Sequence, residues 1–176
     1  MFEKKAQIWV ETAIYTLIGL VIIAILLTVA LPQIEKVKDK GVVEQTISAL
    51  NTLNSKVEET EQTPGNIRIV NFKISKGKIE INSSGDFLRY TLENTKLELS
   101  EPGEVIREGN IYLETETYGS RYNIILTMNL EGLNITYNNK EEMKTLNAGS
   151  TPYKIQIENV GDNGPDEKTH IDFNTI

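Results

Sequence analysis

Cysteine is missing from all 176 residues. Its absence excludes disulfide staples, thiolate metal sites and cysteine nucleophiles, and says nothing against an extracellular location. Histidine is nearly as scarce. The one histidine, His170, has no second imidazole with which to form a metal pair, and no nucleophile motif surrounds any serine. In a strand running from Thr169 to Asn174 it alternates with Ile171, so it faces solvent or a strand neighbour. No catalytic residue, metal site or cofactor is expected, and the chain does not read as an enzyme. The acidic segment Asp162-Asn163-Gly164-Pro165-Asp166-Glu167 spaces its oxygen ligands as calcium loops do. It lacks the spaced bidentate glutamate and Pro165 stiffens it, so it reads as a solvated turn. A net charge of −7 without a basic stripe argues against nucleic acid as a partner. Nothing marks a small-molecule substrate, and there is no internal repeat or low-complexity linker.

What the chain does have is one long apolar run. Thr12 to Leu31 reads TAIYTLIGLVIIAILLTVAL, twenty residues without a charge. At 1.5 Å per residue it makes about 30 Å of helix, the thickness of a bilayer's hydrocarbon core. A cleaved secretory signal has a shorter apolar core and a small-x-small cleavage site, whereas this run ends in Ala30-Leu31-Pro32-Gln33. The segment is therefore expected to stay with the protein and hold it in a membrane. Lys4 and Lys5 precede the span, and Lys36, Lys38 and Lys40 follow it, so lysines alone do not orient it. The long acidic portion after the span is the part expected to cross, leaving the N-terminus in the cytoplasm.

Beyond Pro32 the helical period continues on a polar background. Ile34, Val37, Val43, Ile47, Leu50, Leu53 and Val57 recur at intervals of three, four and, once, six. They line one face of an amphipathic helix over 33–61, which Thr63-Pro64-Gly65 ends. Were the two stretches continuous, Ile8 to Glu61 would measure about 80 Å. Pro32 removes one backbone hydrogen bond and crowds the carbonyl of Thr28, so a plain kink at the membrane exit is expected there.

After Gly65 the period falls to two. Apolar residues alternate in Ile79/Ile81, Leu88/Tyr90/Leu92, Leu97/Leu99, Ile111/Leu113, Tyr122/Ile124/Leu126/Met128, Leu133/Ile135/Tyr137, Tyr153/Ile155/Ile157 and Ile171/Phe173. Turn residues punctuate them, among them Ser84-Gly85-Asp86 and Tyr118-Gly119-Ser120. The spacing predicts an antiparallel β-sheet or sandwich, and the shift of phase between Ile69 and Val70 predicts a β-bulge. The fold class is thus α+β: a long N-terminal helix, then a β-rich head over 66–176. Two N-x-Ser/Thr sequons make Asn82 and Asn134 candidate glycosylation acceptors, with Asn82, at a turn, the better placed.

The segment Lys4-Lys5-Ala6-Gln7-Ile8-Trp9-Val10-Glu11 puts a carboxylate at the lip of the span. A charge costs about 3 kcal/mol if drawn to mid-bilayer, so it needs a partner or a role. Pairing with Lys4 or Lys5 in the headgroup zone, beside the interfacial aromatics Trp9 and Tyr15, is the plain account. From Lys4 to about Leu31 the sequence also resembles the class III signal sequence of archaeal type IV pilin-like proteins. There a short basic leader ends in a small residue, the mature chain starts at Gln, its fifth residue is Glu, and an apolar helix follows. Two positions depart from the pattern, Ala6 where glycine is usual and Trp9 where serine is frequent. The resemblance implies a leader over 1–6, cut by a prepilin peptidase between Ala6 and Gln7, and a mature helix over 7–63. It also implies filament registry through Gln7 and Glu11, with copies of the chain or related pilins as partners and the β head as the outer wall. The product would be a surface filament, with adhesion as its use. A permanently anchored extracytoplasmic binding protein is the alternative, and the residues at Gln7 and Glu11 separate the two.

Overall fold

A computed structural model describes residues 2–161 and 168–176, and for residues 2–7 the backbone alone. The acidic segment 162–167, read above as a solvated turn, lies outside the described residues. Helix α1 runs Phe2–Glu61 with Pro32 in its interior. Ten strands follow: β1 Ile67–Phe72, β2 Lys78–Asn82, β3 Phe87–Thr95, β4 Val105–Glu108, β5 Ile111–Tyr118, β6 Arg121–Asn129, β7 Asn134–Tyr137, β8 Met143–Asn147, β9 Tyr153–Gly161 and β10 His170–Thr175. A 3-10 turn, Ser83–Gly85, joins β2 to β3. The chain divides into two compact units, Met1–Lys38 and Asp39–Ile176.

The second unit holds the core. Six strands form one sheet in the order β4-β5-β6-β3-β2-β8, antiparallel throughout. Four form the other, β1-β9-β10-β7. The period-two residues do what alternation demands: Ile79, Ile81, Leu88, Tyr90, Leu92, Ile124, Leu126, Met128, Ile155, Ile157, Ile171 and Phe173 are all fully buried in a single cluster. Hairpin β5–β6 closes through Gly119-Ser120, with Gly119 at φ 62, the first-position conformation that a two-residue turn assigns to glycine.

The helix face joins that cluster. Val43, Leu50, Leu53 and Val57 are each 1% exposed or less, and Ile47 packs at its margin. Burying such a side chain is worth about 1.5–3 kcal/mol. Ile34 and Val37 share the period but precede Asp39, belong to the first unit and remain exposed.

Polar contacts hold this helical stretch at both ends. Asp39 is buried and its carboxylate accepts from Lys76 Nζ at 2.6 Å and from Thr95 Oγ1 at 2.5 Å. Beside it the fully buried Tyr90 donates to the Lys76 carbonyl at 2.7 Å. At the far end Asn159 of β9, also buried, donates through Nδ2 to the carbonyls of Thr60 (3.1 Å) and Glu61 (3.0 Å). These are carbonyls that a helix C-terminus leaves without an intrahelical partner. Asn66 Nδ2 reaches the Glu59 carbonyl at 3.1 Å, and Gly65, at φ 77, donates to the Asn159 carbonyl.

Three expectations need correction. No bulge interrupts β1: its register with β9 runs unbroken from Ile67↔Glu158 to Phe72↔Tyr153. The shift in hydrophobic phase arises because Ile67 and Ile69 point outward on an edge strand, 46% and 56% exposed, while Val70 and Phe72 point inward. Register shifts fall instead in β3 between Leu92 and Thr95, where Asn94 takes φ 55, and in the β9–β10 pairing between His170 and Ile171. Leu97 and Leu99 do not form a strand. Leu97 is buried in a loop whose amides are met by hydroxyls, Leu97 N–H by Thr95 Oγ1 and Ser100 N–H by Thr115 Oγ1, so no ladder is required. Finally, the expected antiparallel pairing holds for the strands except at one pair: β7 and β10 run in parallel, Asn134↔His170 to Tyr137↔Phe173. The long connection through β8 and β9 permits this, whereas a hairpin would enforce the antiparallel sense.

Two outcomes test this account of the helix. Asn159→Ala leaves the Thr60 and Glu61 carbonyls without their donor and should cost about 1–3 kcal/mol. Asn159→Asp, which sets a carboxylate against those carbonyls, should cost at least as much. Denaturant midpoints of the variants equal to wild type would show that the cap contributes nothing. The second outcome concerns pH. Burial pushes the Tyr90 phenol up to about 12; the Thr46 hydroxyl partly offsets this and the Asp39 charge adds to it. The unfolded value is about 10, so the folded chain holds the proton more tightly. The resulting stability, about 2–3 kcal/mol, is intact below pH 10 and lost as pH rises through 12. Stability curves of wild type and Tyr90→Phe should therefore converge across that window, and parallel curves would contradict it.

Candidate functional site

The first unit is rich in large apolar side chains that stay exposed. Every large apolar side chain from Ile8 to Leu31 is about half exposed or more, and Trp9 reaches 79%. Among the described residues this is the one helix long and apolar enough to cross a membrane, and the window that qualifies has no buried residue. A helix apolar on all sides suits lipid or other apolar helices rather than water.

Its polar side chains are arranged for the same surroundings. Thr12 Oγ1 donates to the Ile8 carbonyl at 2.9 Å, Thr16 to Thr12 at 2.8 Å, and Thr28 to Ile25 at 2.7 Å. Each threonine hydroxyl of the run therefore has an acceptor within its own helix and needs none from solvent. The exception is Glu11. It lies one residue before the run, is exposed, and has no partner among the described residues. The expected pairing with Lys4 or Lys5 falls on side chains outside the described set. Ala6 and Gln7 lie in the helical backbone of α1, and the spacing of four places Gln7 and Glu11 on one face of it.

In the second unit the sequons have unequal surroundings. Asn82 ends β2 and caps the 3-10 turn, with Oδ1 accepting from Gly85 N–H at 3.1 Å. Ser84, the hydroxyl residue of that sequon, is exposed. Asn134 opens β7, and its Thr136 is 5% exposed.

Thr136 belongs to a polar cluster not anticipated from the sequence. Its hydroxyl donates to Asp172 Oδ1 at 2.6 Å and lies 2.8 Å from His170 Nε2; Asn139 N–H reaches the same carboxylate oxygen at 2.6 Å. A hydroxyl, an imidazole and a carboxylate make up a catalytic triad, but the order here is wrong for one. A nucleophilic hydroxyl donates to the imidazole, which the carboxylate orients. Thr136 donates its hydrogen bond to the acid rather than to the imidazole, and these contacts link β7 to β10. His170 thus faces a strand neighbour, one of the two surroundings expected for it.

A groove of about 620 Å³ runs along Glu44, Ser48, Asn51 and Ser55 of α1 beside Glu108. It contains neither histidine nor a basic side chain, and no group of three metal-ligating side chains occurs among the described residues. Comparison with known protein families, with characterised proteins and with solved structures finds no match.

The residues that sequence reasoning missed had a signal. Asp39 lies four before Val43, on the same stripe, and Asn159 continues the inward phase of Ile155 and Ile157. A polar residue in an apolar phase marks a specific partner.

Proposed function

We propose that the protein is a structural subunit of an archaeal type IV pilus-like surface filament, polymerising through its N-terminal helix. The observation that carries this reading is a helix apolar on every side, with one acid at its edge, attached to a unit that buries its own core. The likeness of Lys4 to Leu31 to a class III signal sequence supplies the direction. In this reading the precursor sits in the membrane with its N-terminus in the cytoplasm and the β-rich unit outside. A prepilin peptidase cuts between Ala6 and Gln7. The freed α-amine of Gln7 is then available to the Glu11 carboxylate of a neighbouring copy. An apolar helix passes from lipid to a bundle of like helices at little hydrophobic cost, since both surround it with hydrocarbon. Specific order must come from polar contacts, and Glu11 supplies one. The uncut leader would keep Lys4 and Lys5 at that position and prevent the pairing. Adhesion is the use we assign to the assembled filament.

Processing is tested by mass: native protein should begin at Gln7, and intact residues 1–6 on surface-exposed protein would remove the basis of the reading. Registry is tested by Glu11→Ala. A charge-assisted contact in a water-poor filament core is worth about 1.5–3 kcal/mol per subunit, and its loss recurs along the polymer. Filaments sheared from cells expressing the variant should be absent by electron microscopy, with membrane levels of the subunit unchanged. A permanently anchored binding protein predicts a nearly silent substitution, because an interfacial glutamate contributes under about 1 kcal/mol. Wild-type filament numbers from the variant would refute the role given to Glu11.

A further inference from the structure

The two sequons are equivalent as motifs and unequal as sites, and we infer that Asn82 carries an N-linked oligosaccharide while Asn134 does not. Transfer to asparagine needs the side-chain amide nitrogen presented outward and the Ser or Thr hydroxyl two residues on within reach of the transferase. At Asn82 no hydrogen bond engages the amide nitrogen among the described residues, and the hydroxyl residue two positions on is exposed. The residue stands where β2 gives way to the turn Ser83–Gly85, and its amide oxygen is taken by Gly85 N–H at 3.1 Å. That contact turns the other amide atom, Nδ2, away from the turn, and it survives glycosylation because the sugar replaces a hydrogen on nitrogen. Ser84 is exposed, while the intervening Ser83 is buried and tied to the Glu142 carbonyl at 3.0 Å. The turn therefore has a fixed shape, with Asn82 half-buried at its start and Ser84 on the outside.

At Asn134 the same motif is closed. The residue is in a strand, its backbone N–H bonded to the Thr169 carbonyl at 3.0 Å and its position paired with His170. The required hydroxyl, on Thr136, is buried and engaged by both Asp172 and His170. Reaching it means separating β7 from β10.

The reaction is a glycosyl transfer. Asn82 Nδ2 attacks the anomeric carbon of a sugar held on a lipid through a phosphate or pyrophosphate. The N–C bond forms as the C–O bond to phosphorus breaks, the lipid phosphate leaves with the electron pair, and the amide proton passes to a base of the transferase. The lipid-linked oligosaccharide and its transferase face the outside of the membrane, so the inference rests on the outward placement of the β-rich unit proposed above.

The test uses full-length protein from the cells that make it. Trypsin releases Ile79–Arg89, which should be recovered with a glycan mass on Asn82 in most copies. The peptide holding Asn134 should be recovered unmodified. Asn82→Gln and Ser84→Ala should each abolish the added mass, Ser84→Thr should retain it, and Asn134→Gln should change nothing. External protease on intact cells supplies the control for location. Protein that is accessible from outside yet unmodified at Asn82, or modified at Asn134, overturns this inference and leaves the filament reading standing. Protein inaccessible from outside overturns both.

Discussion

The structure of the second unit depends on how the stretch of α1 from Asp39 to Glu61 is held against two sheets. Its apolar side chains would be satisfied by any greasy surface, and hydrophobic contact alone does not choose a register along the helix axis. The ends make the choice. Asp39, buried against Lys76 and Thr95, ties the start to the β1–β2 connection and the end of β3. Asn159 ties the finish to β9 by capping the last carbonyls. A slip by one residue would leave a buried carboxylate and a buried amide unpaired, at a cost larger than the apolar contacts could regain. Tyr90 sits within the first anchor and fills the space beneath it, which is why its phenol resists ionisation.

With the helix so held, the unit accounts for its own apolar residues, and the segment before it does not. The large apolar side chains from Ile8 to Leu31 are about half exposed or more. Their threonine hydroxyls already bond within the helix. Such a surface has two stable surroundings, lipid and other helices of the same kind, and a subunit that moves between them needs both to be nearly equal in free energy. In the filament proposed above, the carboxylate at Glu11 would break that equality by meeting the α-amine of a neighbouring copy.

The β-rich unit, by contrast, shows how tertiary bonding cancels chemistry that composition alone would allow. Thr136, His170 and Asp172 bring together a hydroxyl, an imidazole and a carboxylate, and their hydrogen bonds link β7 to β10. Thr136 also belongs to a sequon, and the same bonds that make it structural withdraw it from modification. Asn82 bonds within its turn through the amide oxygen, and Ser84 of its sequon stays exposed.

The sequence by itself determined the helix, the β-rich class and most of the core, because those follow from the period of apolar residues, and period is local. Ile79, Leu88, Ile124, Ile155 and Ile171 are buried as alternation requires, and Val43, Leu50, Leu53 and Val57 as the helical repeat requires. It also marked Glu11 as an acid at the edge of an apolar run. Strands β4 and β8 were illegible because neither alternates: β4 is exposed along its length, and β8 buries only Leu146. Edge strands owe their form to the neighbour they bond, which lies elsewhere in the chain. The parallel pairing of β7 with β10, the outward pair Ile67 and Ile69, the partners of Asp39 and Asn159 and the burial of Thr136 were likewise decided only by the tertiary structure. In each case the deciding contact joins residues far apart in sequence, and a side chain's own type says whether it needs a partner but not where the fold will supply one.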